Sequence, residues 1–197
     1  MSETAALEEA DIDRVRELVS IGAGHAASAL AGLVGRTCEM GVPTVQRLAA
    51  PEADAALARE RDLTGVLFEL EGGTGGVLAL LFPASTCERL LEHLLGPGPR
   101  AGRSEDAARS ALCEVGNILA SHAANALGEM LGVPMLPSLP QLALTDAPGA
   151  LASLVAARTR EPTLRIEAEI CDRARELRGI LVLVPDTIRR VAAARGF

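Results

Sequence analysis

The sequence predicts a mixed α/β (α+β) domain with pseudo-two-fold symmetry, in which two long helices pack on a largely antiparallel sheet of about six strands. Three observations carry that prediction. One order of elements (helix, strand, short helix, hairpin, helix) runs twice along the 197 residues. Residues in the two runs match at a constant offset. The main strands come in pairs joined by short turns, and hairpins make antiparallel ladders.

The first run opens with a helix over residues 8–33, with apolar positions at Val15, Leu18, Ile21, Ala29 and Leu33. Gly35 ends it, where a left-handed cap suits glycine. A strand is predicted over 37–45 and a short helical turn over 52–58. Residues 63–70 and 76–82 read as a hairpin around Glu71-Gly72-Gly73-Thr74-Gly75, and Pro83 opens a helix through Leu95. Residues 96–103, rich in Gly, Pro and Arg, form a linker between repeats of about 8–96 and 104–195. The second long helix starts with Ser104 or Asp106 as its cap and runs to Leu131, where Gly132 stops it. A strand over 134–144, a short helix over 147–156 and a hairpin of 163–171 with 179–184 follow. Pro185 opens a terminal helix.

At the offset of 97 that separates Glu17 from Glu114, residues 17–35 and 114–132 agree at nine of nineteen positions. Alanine accounts for some of this by chance. The matches Ile21/Ile118, His25/His122 and Pro43/Pro140 are harder to dismiss. A repeat of this size implies two halves packed together.

Composition bounds the function. Hydrophobic residues make up 49% of the chain, enough for a globular core, but only 2% are aromatic, with three Phe and neither Trp nor Tyr. The core must be Ala, Leu, Val and Ile, and base stacking on aromatic rings is nearly excluded. A net charge of −7 repels phosphate backbones, so nucleic acid is not an expected partner. The four cysteines, Cys38, Cys87, Cys113 and Cys171, lack zinc spacing and read as small hydrophobes in a reducing compartment. The acidic start of the chain does not look like a signal peptide. The uncharged stretch 18–35 holds Ser20, His25 and four glycines, so it reads as a buried helix, not a membrane span. A cytoplasmic location is expected.

Residues three and four apart share a helix face. Ser110, Glu114, Asn117 and Ser121 therefore make a polar stripe, opposite a core face of Leu112, Val115, Ile118, Leu119 and Ala126. Asp13, Glu17, Ser20 and Gly24 repeat the stripe on the first helix. Glu and Asn side by side offer one anion and one amide, which can hold a cation and orient a water. Taken alone, such a pair on a solvated face is ordinary. Gly22, Gly24 and Gly116 do not make a phosphate loop, and close helix–helix contact explains them better. His25 and His122 lack further ligands for a shared metal and read as partly buried, satisfied histidines.

The spacing Ser110, Glu114, Asn117, Pro140 resembles the signature of the CheC/CheX/FliY family of chemotaxis phosphatases at every position. Asp13, Glu17 and Pro43 fit the same signature in the first half, with Ser20 where the family has Asn. The text around both helices, Ser20-Ile-Gly-Ala-Gly-His and Glu114-Val-Gly-Asn-Ile-Leu, also looks like CheC. The resemblance implies hydrolysis of the aspartyl phosphate of a CheY-like response regulator. Asn117 would orient water and Glu114 would pair with the regulator's lysine. Ser110 and Pro140, with Asp13 and Pro43, would support the two sites. It implies no metal or cofactor on this chain itself, Mg2+ on the regulator, and the deamidase CheD as a further partner. Ser20 is shorter than Asn and carries no amide, so the Glu17/Ser20 site is expected to be degenerate. Gly72-Gly73-Thr74-Gly75 is similar to a motif of the flagellar switch protein FliM, although a hairpin turn explains it as well. The alternatives are a binding module without turnover and a structural protein of a flagellar switch.

Overall fold

The structure is a computed structural model that describes residues 9–48, 63–97, 104–158 and 163–186. Its elements, in order, are α1 (Glu9–Val34), β1 (Cys38–Met40), β2 (Thr44–Leu48), β3 (Leu63–Gly72), β4 (Gly76–Pro83), α2 (Ala84–Leu95), α3 (Glu105–Leu131), β5 (Met135–Pro137), β6 (Gln141–Ala143), α4 (Ala147–Arg158), β7 (Thr163–Asp172) and β8 (Arg178–Val184). The short turn expected over 52–58, the terminal helix after Pro185 and most of the 96–103 linker lie outside the described residues.

All strands join one antiparallel sheet in the order β1-β7-β8-β4-β3-β5, with β2 also on β7 and β6 also on β3. The pairings obey the two-fold relation. β1 and β2 flank β7 as β5 and β6 flank β3. At the centre, Val77↔Val184 is mirrored by Leu81↔Ile180, and Ala79↔Val182 sits on the axis.

The sheet has eight strands where about six were expected, because each outer strand is broken. Between β5 and β6, the three residues Ser138, Leu139 and Pro140 face only Phe68 and Glu69 of β3. Between β1 and β2, Gly41, Val42 and Pro43 likewise face Ala168 and Glu169 of β7. Each is a β-bulge with one extra residue, and proline, which has no N–H to give a ladder, fits there. The single strands expected over 37–45 and 134–144 are thus two short strands each.

Alternation along the inner strands sorts the core into two layers. Val66, Phe68 and Leu70 of β3, Leu78, Leu80 and Phe82 of β4, and Leu164, Ile166 and Ala168 of β7 meet α1, α2 and α3. Leu63, Leu67, Val77, Ala79, Leu81 and Val182 meet α4 through Ala147, Leu151 and Val155. With so few aromatics, the α1–α3 contact is built from alanines: Ala23, Ala26, Ala27, Ala120, Ala123 and Ala124 are all buried. A Cβ on Gly22 would stand 3.1 Å from Leu127, so this glycine does serve helix–helix approach. Gly116 instead packs on the sheet, and Gly24 has nothing within 4 Å.

Two expectations about helix faces change. Ile21 is exposed and Ile118 only half-buried, because the buried stripe runs through Val15, Leu18, Val19, Gly22 and Ala23 in α1 and its counterparts in α3. That leaves both isoleucines on the outward flank. α1 from Ile12 on is long and apolar enough to cross a membrane, but its inner face is spent on α3 and β7.

Candidate functional site

α3 sets the site by dividing its surface. Leu112, Val115, Gly116, Leu119, Ala120 and Ala123 are buried at the three- and four-residue spacing of one helix face. Ser110, Glu114 and Asn117 are therefore exposed, and Ser121 half-buried. Gly116 fixes the helix between Glu114 and Asn117, since a Cβ on it would come 2.5 Å from Val66 Cγ1 of β3. Among the described residues, neither Glu114 nor Asn117 has a hydrogen-bond or ion-pair partner. One carboxylate and one amide thus stand in solvent with their full bonding capacity unspent.

Two residues of the same stripe on α1 are already engaged. The Asp13 carboxylate accepts from Arg16 at 2.6 Å. The Ser20 hydroxyl donates to the Arg16 carbonyl at 2.9 Å, one turn back. Glu17 is exposed, and Gly24 ends the stripe without a side chain. The two halves place corresponding residues on corresponding faces, but only α3 presents a free polar pair.

The prolines sit in the two bulges, Pro43 buried and Pro140 half-buried. The distance in sequence from Asn117 to Pro140 has a geometric reason. α3 climbs about 21 Å between Asn117 and Leu131 at about 1.5 Å per residue, and a strand at about 3.3 Å per residue descends as far in six or seven residues. Counted from Gly132, that reaches the bulge, and the packing of Gly116 on Val66, the partner of Leu142, puts Asn117 near its Pro140 end. Ser138 is bonded twice to β3: its N–H donates to the Glu69 carbonyl at 2.8 Å, and its hydroxyl accepts from the Glu69 N–H at 3.0 Å. In the first half Gly41 N–H makes the equivalent bond to Glu169, and no side chain adds the second.

The residue before each proline was not among the sequence candidates, yet Val42 and Leu139 are the most exposed large hydrophobics described. Their repeat-related position before a signature proline was the available signal.

The strongest electrostatics lie elsewhere and are architectural. Burial pushes the Asp172 carboxyl up, but the N–H groups of Leu177 and Glu176 and the Arg36 guanidinium outweigh it and hold it below the usual carboxylate range. Arg36 also pairs with Glu176, and its hydrogen bond lowers that carboxyl too. Arg158, from the end of α4, reaches Asp186 with two nitrogens at 3.0 and 2.6 Å and Glu69 at 2.6 Å. A cavity lined by Val34, Arg36, Arg89, Glu92, His93 and Leu177 includes none of the stripe residues. His25 and His122, expected to be partly buried, are exposed, because both sit on the outward side of their helices. Among the described residues no three His, Cys, Asp or Glu come close enough to hold a metal ion.

Comparison with known proteins places the fold in a family. The profile of the CheC-like family matches residues 108–142, the span from α3 through the Pro140 bulge to β6. The chain is 30% identical over 189 residues to the CheY-P phosphatase CheC of Bacillus subtilis strain 168, covering 91% of this chain and 90% of the relative. In fold it resembles Thermotoga maritima FliY, with a TM-score of 0.66 at 19% identity over 94% of this chain and 96% of the other. It also resembles the FliM middle domain of H. pylori, with a TM-score of 0.63 at 15% identity over 95% and 99%. With two matched long helices, a two-fold sheet and near end-to-end similarity to CheC, the chain belongs to the CheC-like family.

Proposed function

We propose that this protein is a cytoplasmic phosphatase that hydrolyses the aspartyl phosphate of a CheY-type response regulator. The observation that carries the reading is the exposed, unpartnered Glu114/Asn117 pair on α3. Asn117 enters the regulator's phosphorylation pocket, and its amide holds a water in line with the phosphorus–oxygen bond. Water oxygen bonds to phosphorus, the bond to the aspartyl oxygen breaks, the aspartate leaves as carboxylate, and inorganic phosphate carries off the water's protons. A Mg2+ held by the regulator would supply charge stabilisation for the departing carboxylate. Glu114 pairs with a lysine of the regulator and sets the docking register. Ser110 and Pro140 support this site, and Asp13 and Pro43 its counterpart. Positioning of this kind needs neither a nucleophile nor a shifted pKa on this chain. Glu17/Ser20 is a degenerate counterpart. CheD is a second candidate partner, through a surface still to be located.

The fold shared with the FliM middle domain favours one rival, a binding or switch component without turnover. Phosphate release from a phosphorylated CheY-type regulator decides between them. Wild type accelerates release over the regulator's own decay, and Asn117→Ala loses about 100-fold of that acceleration. No acceleration by wild type rejects the phosphatase reading; an unimpaired Asn117→Ala rejects the site.

A further inference from the structure

The two halves differ along their outer edges as well as in their helices. On the second half, Val133, Leu136, Leu139 and Leu144 are all exposed, and Leu139 keeps 87% of its surface in solvent. These four make up half of the exposed large hydrophobics described. The positions that match them in the first half are Arg36, Glu39, Val42 and Arg47, three of them charged. The apolar edge thus goes with the half that keeps the amide, and the charged edge with the half that has Ser20.

Resting on the phosphatase reading above, we propose that the β5–β6 edge, centred on Leu139, is the surface on which the phosphorylated regulator seats while Asn117 enters its pocket. Leu139 stands three residues before Leu142, the strand neighbour of the Val66 against which Gly116 packs, so one partner covers both Leu139 and Asn117. The tip is fixed in place: Ser138 is bonded twice to Glu69, and its hydroxyl also donates to the Leu139 carbonyl at 3.0 Å. An apolar side chain held rigidly in solvent loses little freedom on binding, which is how a contact anchor works. A second copy of this chain is the weaker occupant. The bulge interrupts the edge and opposes strand-to-strand pairing, and self-association gives no reason for the apolar row to accompany the amide. The partner is therefore a receiver-type protein with an apolar rim beside its phosphoaspartate. Leu139 is a positioning residue, since it touches no reacting atom.

The test is steady-state phosphate release from the phosphorylated regulator. Leu139→Ser, and separately Leu144→Arg, raise KM about ten-fold, equivalent to about 1.4 kcal/mol, with kcat unchanged, while Leu136→Glu, on the opposite face of the sheet from α3, leaves KM at the wild-type value. Leu139→Met keeps the wild-type KM. All three side chains are exposed, so thermal midpoints stay level and report folding. An unchanged KM in both Leu139→Ser and Leu144→Arg overturns the proposal, as does a concentration-dependent dimer of wild type that Leu139→Ser dissociates at constant KM. Binding to the regulator activated with beryllium fluoride separates this idea from the phosphatase reading. If wild type releases no phosphate but Leu139→Ser weakens binding, the docking edge stands and catalysis falls.

Discussion

The Ser20 hydroxyl donates to the carbonyl of Arg16 at 2.9 Å, whereas Asn117, at the matching place on α3, has no partner among the described residues. A serine on a helix commonly satisfies itself in this way, because its short side chain reaches the carbonyl one turn back. An asparagine amide there reaches outward. Ser20→Asn should therefore create a second pair with Glu17. In the Asn117→Ala background it restores phosphate release above that of Asn117→Ala alone. In the wild-type background kcat per chain rises by at most about two-fold, as expected for two equal, independent sites. No gain in either background would mean that the first half lacks more than an amide, with its charged edge the next difference to exchange.

Gly116 makes a sharper structural prediction. The Cβ of Gly116→Ala meets Val66 Cγ1 at 2.5 Å and Val66 Cβ at 2.8 Å, on an inner strand that cannot yield. Overpacking costs about 1–3 kcal/mol, while alanine recovers at most about 1 kcal/mol of helix propensity. The variant should unfold several degrees lower and lose kcat, because α3 lifts beside Asn117. Gly24→Ala is the contrast: with nothing within 4 Å, it should gain about 0.4–1 kcal/mol in stability. Thermal unfolding of the two variants side by side checks both signs.

Asp172 predicts how acid unfolds the protein. Its buried carboxylate accepts from Glu176 N–H at 2.7 Å, Leu177 N–H at 3.0 Å and Arg36 at 3.1 Å, tying the β7–β8 turn to the end of α1. Burial opposes ionisation, the three bonds favour it, and the bonds win, so its folded pKa lies below the unfolded one. The stability it contributes is full above the unfolded value of about 4 and is lost as pH falls through the lower folded value. Asp172→Ala should cost about 1–3 kcal/mol at neutral pH, by leaving buried N–H groups unpaired. Below about pH 4 the gap between variant and wild type should narrow as the wild-type carboxyl is protonated. A gap that stays constant in urea titrations from pH 7 to pH 3 would contradict this role.

Much of this architecture is legible in the sequence, and the failures have physical causes. The repeat shows because glycines at 35 and 132 end both helices with positive φ, and the first hairpin shows because Gly72, Gly73 and Gly75 supply the φ values that its turn requires. The polar stripe follows from helix spacing alone. The bulges were missed because a strand pattern with one extra residue still reads as a strand; only the register across Phe68–Glu69 reveals it. Ile21 and Ile118 were misplaced because hydrophobicity suggested the core, but the α1–α3 contact is tight enough to prefer alanine and glycine. The histidines went wrong for the opposite reason: their match in the repeat reflects a shared outward position, not burial. The free state of Asn117 and the engaged state of Ser20 are side-chain geometry, which no spacing encodes.

The Leu139 bulge can be tested by removing it. Ser138 and Glu69 are bonded, so the next N–H along the edge strand points away from β3. If Leu139 is deleted, Pro140 moves into that outward position, where its missing N–H costs no ladder bond. Met135 and Leu142 both belong to the helix-side core although an odd number of steps separates them, and the deletion brings them into the even alternation of a regular strand. The shortened chain should therefore fold, with β5 and β6 as one strand and a thermal midpoint within about 4 °C of wild type. It should also lose the device that blunts the edge, and a continuous, exposed, apolar edge strand invites pairing with another copy. Light scattering should show concentration-dependent association of the deletion variant and none for Leu139→Ser, which keeps the bulge. A deletion variant that unfolds, or that stays monomeric at high concentration, would show that the extra residue serves some other purpose than interrupting this edge.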